Sequence, residues 1–188
     1  HFGHAGLVRR IIGGHWISAP RLGALVNADA VEAWNLPQGV IAQLFRAIAG
    51  NKPGIVSKIG LHTFIDPRHD GGKLSPRTTE NLVELITLRG EEYLFYPSMP
   101  IHCALIRGTT ADTRGNISCE EEAFHNDVLA IAQAARNSGG IVIAQVKNIV
   151  QAGTLNPNAV RVPGILVDYV VQPDNPQHHW QTYGEDYN

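Results

Sequence analysis

The stretch that most constrains the fold runs from residue 103 to residue 146. An apolar approach (Ala104, Leu105, Ile106) leads into a polar segment holding Asp112, Gly115 and Asn116. Those residue types end a strand and turn the backbone, because Gly and Asn tolerate positive φ and Asp accepts from nearby backbone N–H groups. A helical pattern follows over 127–137, with Val128, Leu129, Ile131, Ala132 and Ala135 on its buried side. Asn126 or Asp127 serves as its cap and Gly139 as its end. The β-branched run 141–146 then predicts a buried strand. Strand, helix, strand in that order points to a βαβ unit and to the α/β class, expected here as an open, mostly parallel sheet flanked by helices.

The remaining pattern fits the same class. Leu7, Val8, Ile11 and Ile12 predict a short helix over 4–12, stopped by Gly13-Gly14. Ser18 reads as an N-cap, with Pro20 in the first turn of a helix through 22–26. A strand is expected over 30–36. Val40, Ile41, Leu44, Phe45 and Ile48 then share one face of a helix over 40–49, closed by Gly50. A short strand over 55–60 and a loop over 66–74 come next. Runs 83–88 and 92–96 flank Arg89-Gly90 as a hairpin. Further strands are expected over 116–121 and, after the Pro163-Gly164 turn, over 165–171. The domain reading is one domain over 1–171 and a tail or linker over 172–188.

Composition excludes several classes. Lys and Arg number 15 against 17 Asp and Glu, a formal charge of -2. No basic excess draws the chain to nucleic acid or to an anionic membrane. The longest apolar runs fall far short of the roughly 20 residues that span a bilayer, and no secretory signal is visible. Cys103 and Cys119 form no disulfide framework and no C-x-x-C pair, which favours a reducing, cytoplasmic setting. The start at His1 and the polar tail 174–188 read as the ends of a piece of a larger protein.

Candidate chemistry is sparse when read residue by residue. His1 with His4, and His178 with His179, lack a third ligand at a recognisable spacing, so no metal site is expected. Glu120-Glu121-Glu122 offers carboxylates for nucleophilic or base chemistry, but adjacent strand residues alternate faces and the plainer reading is a solvated strand end. There is no G-x-S-x-G elbow, no G-x-G-x-x-G and no P-loop. Gly71-Gly72-Lys73 could hold an anion, or be a surface turn. His15, Trp16 and Trp34 could line a pocket, or pack in the core. Pro37-Gln38-Gly39 is more informative. Pro fixes the backbone, Gly admits a close neighbour, and Gln offers both a donor and an acceptor. The tripeptide sits between a strand end and a helix start, where open α/β sheets place ligands.

Taken in order, these segments resemble one half of a family I coenzyme A transferase. The resemblance rests on Gly14-His15-Trp16 with Pro20, Asn35-Leu36-Pro37-Gln38-Gly39, Thr63-Phe64-Ile65-Asp66-Pro67-Arg68 with Gly71-Gly72-Lys73, Glu92-Tyr93-Leu94, and residues 107–116, 127–145 and 162–168. The third and fourth segments are most similar to the fused branch acting on acetoacetyl-, acetyl- or propionyl-CoA. The resemblance implies two related α/β halves with the active site between them. It also implies ping-pong chemistry through a glutamyl-CoA thioester. No metal or redox cofactor is implied, and coenzyme A enters as the thioester substrate. No segment of this chain matches the family's nucleophilic glutamate, and the Gly-rich opening of the first half is missing too. The chain therefore reads as an incomplete first half, inactive alone. Its expected partners are the second half, in cis or in trans, acyl-CoA, a carboxylic acid and further copies of itself. Gln38 matches the family's Pro-Gln-Gly glutamine near the catalytic glutamate, which implies an amide that orients that carboxylate or bonds the acyl carbonyl, with Pro37 and Gly39 beside it as substrate-binding positions. Thr63, Phe64 and Lys73 carry no assigned role. Two other readings are an isomerase or hydrolase on the same fold, and a non-catalytic module that binds acyl-CoA or a transferase.

Overall fold

The computed structural model describes residues 2–122 and 124–175, so His1, the His178-His179 pair and residues 176–188 of the expected tail lie outside it. Among the described residues the elements in chain order are β1 (Arg10–Gly13), α1 (Pro20–Asn27), β2 (Glu32–Asn35), α2 (Gln38–Ala49), β3 (Gly54–Ser57), β4 (Glu84–Leu88) and β5 (Glu91–Pro97). They continue with β6 (Cys103–Asp112), β7 (Ile117–Ser118), α3 (Val128–Asn137), β8 (Ile141–Val150), β9 (Val160–Val162) and β10 (Tyr169–Val171). The chain divides into two compact units. The first takes residues up to Leu44 together with Lys52–Ser98, and the second takes Phe45–Asn51 together with residues from Met99 on.

The second unit contains the expected βαβ crossover. Its five-stranded sheet has the order β10-β8-β6-β7-β9. Strands β10, β8 and β6 are parallel, and β7 is antiparallel to both β6 and β9, so only β7 runs against the rest. Parallel neighbours need a crossover, and α3 supplies it between β6 and β8. One face of α3 is nearly all alanine: Ala130, Ala132, Ala134 and Ala135 are buried. Small side chains let the helix lie close on the sheet, where Ala104, Ile106, Ala111, Val142, Ala144 and Val146 close the core.

The first unit holds a parallel pair, β1 with β2, and an antiparallel meander of order β3-β5-β4. Its core joins Trp34, Leu36 and Val40 to Ile65, Val83, Leu94 and Tyr96. Each large apolar side chain fully buried there contributes about 1.5–3 kcal/mol. Trp34 is fully buried and donates its indole N–H to the Glu80 carbonyl at 3.2 Å. Trp16 packs on the smaller cluster of Val26, Val31 and Ala33 and donates to Oδ1 of Asn35 at 3.3 Å. Both tryptophans are thus packing residues.

Four local expectations need correction. Residues 10–13 form a strand, not the end of a helix, because β-branched Ile11 and Ile12 pair in parallel with Ala33 and Trp34. Ser18 does not cap α1: Ala19 takes that position without a side-chain bond, and Pro20 occupies the first turn. Leu129 is 39% exposed, since the alanines and not the leucine face the sheet. The expected strand over 165–171 begins with a 3-10 turn, Gly164–Leu166, and pairs only from Tyr169 onward.

Candidate active site

Strand β2 ends at Asn35, Leu36 is buried, and α2 starts immediately after Pro37. The Leu36 N–H donates to the Gly13 carbonyl at 3.0 Å, which ties the β2 exit to the end of β1. The Pro37 carbonyl accepts from the N–H groups of Val40 and Ile41 at 2.9 and 3.0 Å and so opens the helix. A proline suits this place because its ring presets φ and its missing N–H would have no partner there. Gln38 and Gly39 therefore lie inside the first turn of α2, where the sequence suggested a turn ahead of the helix. Both are exposed.

The Gln38 side chain makes no hydrogen bond among the described residues, leaving its amide donor and acceptor available. Its seat depends on Gly14. A Cβ on Gly14 would stand 2.5 Å from Gln38 Oε1 and 2.9 Å from the Gln38 backbone N and Cα. At Gly39 the same construction meets nothing within 4 Å, so open space adjoins the start of the helix. From the sequence Gly14 reads as part of a helix stop and of the Gly14-His15-Trp16 motif, with no steric role. Its steric role depends on a contact across 24 positions of sequence that no local pattern carries.

The segment 62–73 is a structural knot. Asp66 is fully buried. Its carboxylate accepts from the backbone N–H of His62 at 2.9 Å and of Arg68 at 3.0 Å, and from the Arg68 guanidinium at 2.8 and 3.0 Å. Arg68 also bonds Glu92 on β5 at 3.0 Å. The Arg68 guanidinium, with the backbone donors adding to it against the cost of burial, holds the Asp66 carboxyl well below the usual carboxylate range. Tyr96 donates to the Ile59 carbonyl at 2.7 Å, and burial pushes its phenol up to about 12.

The three residues read as a possible anion turn are occupied. The N–H groups of Gly71, Gly72 and Lys73 donate to Asp66, Phe64 and Asp70 carbonyls, and the Lys73 ammonium bonds Asn81 at 2.6 Å. The Gly72 carbonyl accepts from Asn35 N–H at 2.7 Å, docking the loop on β2 next to the Pro37-Gln38 corner. Thr63 closes its own turn through a 2.8 Å bond from its hydroxyl to the Gly60 carbonyl. Phe64 is 44% exposed and contributes its carbonyl to the same loop.

In the second unit each member of the glutamate triplet has its own partner. Glu120 accepts from the Thr110 hydroxyl, Glu121 pairs with Lys147 at 3.0 Å, and Glu122 pairs with Arg107 at 3.2 Å. Burial raises the Glu120 pKa, but hydrogen bonds from Ser118 and Thr110 outweigh it and the net shift is downward. A lowered pKa suits a held anion and weakens a carboxylate as a base or nucleophile. The turn after β6 is held by Asp112, which accepts from the N–H groups of Arg114 and Asn116 and from the Asn116 amide at 2.8–3.0 Å. Asn116 in turn accepts from Gly164 N–H at 2.9 Å. Gly164 has to be glycine, since a Cβ there would overlap the Arg114 carbonyl. The two late motifs 107–116 and 162–168 are thus one packed feature.

The coenzyme A transferase family model matches residues 4–173, nearly the whole chain. The chain belongs to the coenzyme A transferase family. It is 51% identical to the caffeate CoA-transferase of Acetobacterium woodii over 182 residues, which is 97% of this chain and 35% of that protein. The crystal structure of the acyl-CoA transferase YdiF of Escherichia coli O157:H7, a thioester complex with CoA, superposes with a TM-score of 0.89 at 45% identity. That match covers 92% of this chain and 35% of YdiF. A more distant CoA-transferase, the acetoacetyl-CoA:acetate/butyrate CoA transferase alpha subunit of Clostridium acetobutylicum, is 27% identical over 88% of this chain and 67% of the subunit. The chain thus spans about a third of the length of its two more similar CoA-transferase relatives. The α/β fold expected from the sequence is the fold of this family.

Proposed function

We propose that this chain is the first-half portion of a short-chain acyl-CoA:carboxylate CoA-transferase, of the acetoacetyl-, acetyl- or propionyl-CoA class. A glutamate outside these 188 residues attacks the acyl-CoA thioester. The mixed anhydride is opened by CoA thiolate to give a glutamyl-CoA thioester, and the acceptor acid reverses the sequence. The observation that carries this reading is Gln38: an exposed amide without a hydrogen-bond partner among the described residues, seated at a strand-to-helix corner by Gly14. Preorganised donors aimed at developing charge lower the barrier because they need no reorganisation during the reaction. The Gln38 amide fits that task, either orienting the glutamate carboxylate or donating to the acyl carbonyl. Pro37 fixes the corner, and the open space at Gly39 admits substrate or partner.

The engaged state of Glu120, Glu121 and Glu122 supports a nucleophile elsewhere. The reading requires a second half, in cis or in trans, and it includes assembly into a homo-oligomer in the cytoplasm. It needs no cofactor besides the coenzyme A thioester that serves as substrate. The test is CoA transfer from acetoacetyl-CoA to acetate, measured for the 188-residue chain and for the full-length gene product. Activity confined to the full-length protein is the expected result. Turnover by the chain alone would place a nucleophile within it. Inactivity of both with every short-chain acid would favour a non-catalytic acyl-CoA-binding or partner module.

A further inference from the structure

The bend that carries Gly14 is tied at both ends to one residue of the first unit. Where β1 ends, Gly13 is paired in register with Asn35, the last residue of β2. The chain bends at Gly14 and returns, so that the Trp16 indole N–H donates to Oδ1 of the same Asn35 at 3.3 Å. The ring also lies along the bend, since a Cβ on Gly13 would stand 3.6–3.7 Å from it, ordinary van der Waals contact. Two backbone bonds fix the ends further. The Gly13 carbonyl accepts from the Leu36 N–H at 3.0 Å, and the Trp16 carbonyl accepts from the Ala19 N–H at 3.0 Å, just ahead of α1.

Between those ties stands Gly14, the residue in contact with Gln38. A Cβ there would meet Gln38 Oε1 at 2.5 Å and the Gln38 backbone at 2.9 Å. The Gln38 side chain makes no hydrogen bond among the described residues, so the wall formed by Gly14 is what limits the rotamers this exposed amide can take. A wall restricts a side chain only as far as it is itself held. The Trp16–Asn35 bond joins two half-buried side chains, so its share of the folding free energy is modest. Its share in fixing the bend is larger, because it is the side-chain closure of the loop that contains Gly14. Donors work in catalysis when they are already in place, and small misplacements of a reacting or stabilising group cost rate more than they cost stability.

We infer that the Trp16–Asn35 hydrogen bond is a latch that holds the Gly14 bend against Gln38, which makes Trp16 and Asn35 positioning residues for the Gln38 amide. The inference rests on the reading of Gln38 as the amide that serves CoA transfer, and it extends that reading to two residues that act through Gly14. Loss of either side of the latch leaves the glutamine present but loosely placed.

The experiment uses the full-length protein with acetoacetyl-CoA and acetate. Trp16→Phe keeps an aromatic ring on the bend and removes the donor; Asn35→Ala removes the acceptor and leaves the indole. Each should lower kcat about tenfold, with both KM values within about twofold of wild type. The deciding readout is the same substitution made in Gln38→Ala. With the amide gone the latch has nothing to position, and kcat should change by less than about twofold. A merely structural role would lower kcat equally with and without the glutamine. Thermal melting shows which variants are folded, and either one alone completes the cycle. Wild-type kcat in a folded variant would overturn the latch, as would an equal fall in the Gln38→Ala background or wild-type turnover by Gln38→Ala itself. Those outcomes leave CoA transfer standing, whereas a wild-type protein that transfers no CoA would overturn both.

Discussion

Gly14 and Gln38 are fitted to each other: the Oε1 of Gln38 occupies the place a Cβ on Gly14 would crowd, 2.5 Å away. The backbone of Gln38 is as close, at 2.9 Å, so a side chain at position 14 cannot be absorbed by rotating the glutamine alone. Gly14→Ala should push the start of α2 out of place. We expect a cost of about 1–3 kcal/mol, the usual range for overpacking, together with a loss of turnover in the full-length protein. Melting temperature and kcat measured on the same preparation check both parts.

Gln38→Ala separates function from fold. The side chain is exposed and makes no bond among the described residues, so stability should change by no more than about 0.5 kcal/mol. If its amide serves the reaction, kcat in the full-length protein should fall on the order of 10–100-fold. Kinetics unchanged for both substrates would remove Gln38 from the site.

Asp66 should matter for stability and not for turnover. Arg68 is 39% exposed while Asp66 is fully buried, so Asp66→Ala should cost about 2–3 kcal/mol, less than the ~3–5 kcal/mol of a fully buried pair. The pH dependence has a definite sign. The folded-state pKa of Asp66 is depressed below its unfolded value of roughly 4. Its contribution is therefore fully present above that unfolded value and is lost as pH falls through the folded one. Acid titration of the melting temperature should fall more steeply below about pH 4 for wild type than for Asp66→Ala.

The glutamates of 120–122 test the placement of the nucleophile. Glu121→Gln and Glu122→Gln should each remove a partly exposed ion pair worth up to about 1 kcal/mol. CoA transfer by the full-length variants should stay within about twofold of wild type, since neither interaction belongs to the transition state. A collapse of kcat in either variant would return the triplet to the chemistry.

The parts of the fold legible from sequence were those set by local pattern. The hairpin around Arg89-Gly90, the helix ending at Asn137 and the β6-α3-β8 crossover each carry their own periodicity and end signals. The failures were long-range. Arg10–Gly13 is a strand because of a partner at Glu32–Asn35, and four apolar residues cannot distinguish the two periods alone. At the site, Pro37-Gln38-Gly39 stood out because strand end, proline and helix start are adjacent in the chain. Gly14 and the segments holding Asp66, Arg68 and Glu92 carried the family resemblance, but the contacts Gly14 makes with Gln38 and Arg68 makes with Glu92 were not legible, because those partners come from distant segments.

The central claim is that a glutamate outside these residues carries coenzyme A. The most direct measurement is peptide mapping by mass spectrometry of the full-length protein after incubation with acetoacetyl-CoA. The account predicts a coenzyme A thioester on a glutamate beyond this chain, and none on Glu120, Glu121 or Glu122. A thioester on any of those three, or the absence of any adduct in a protein that turns over, would contradict it.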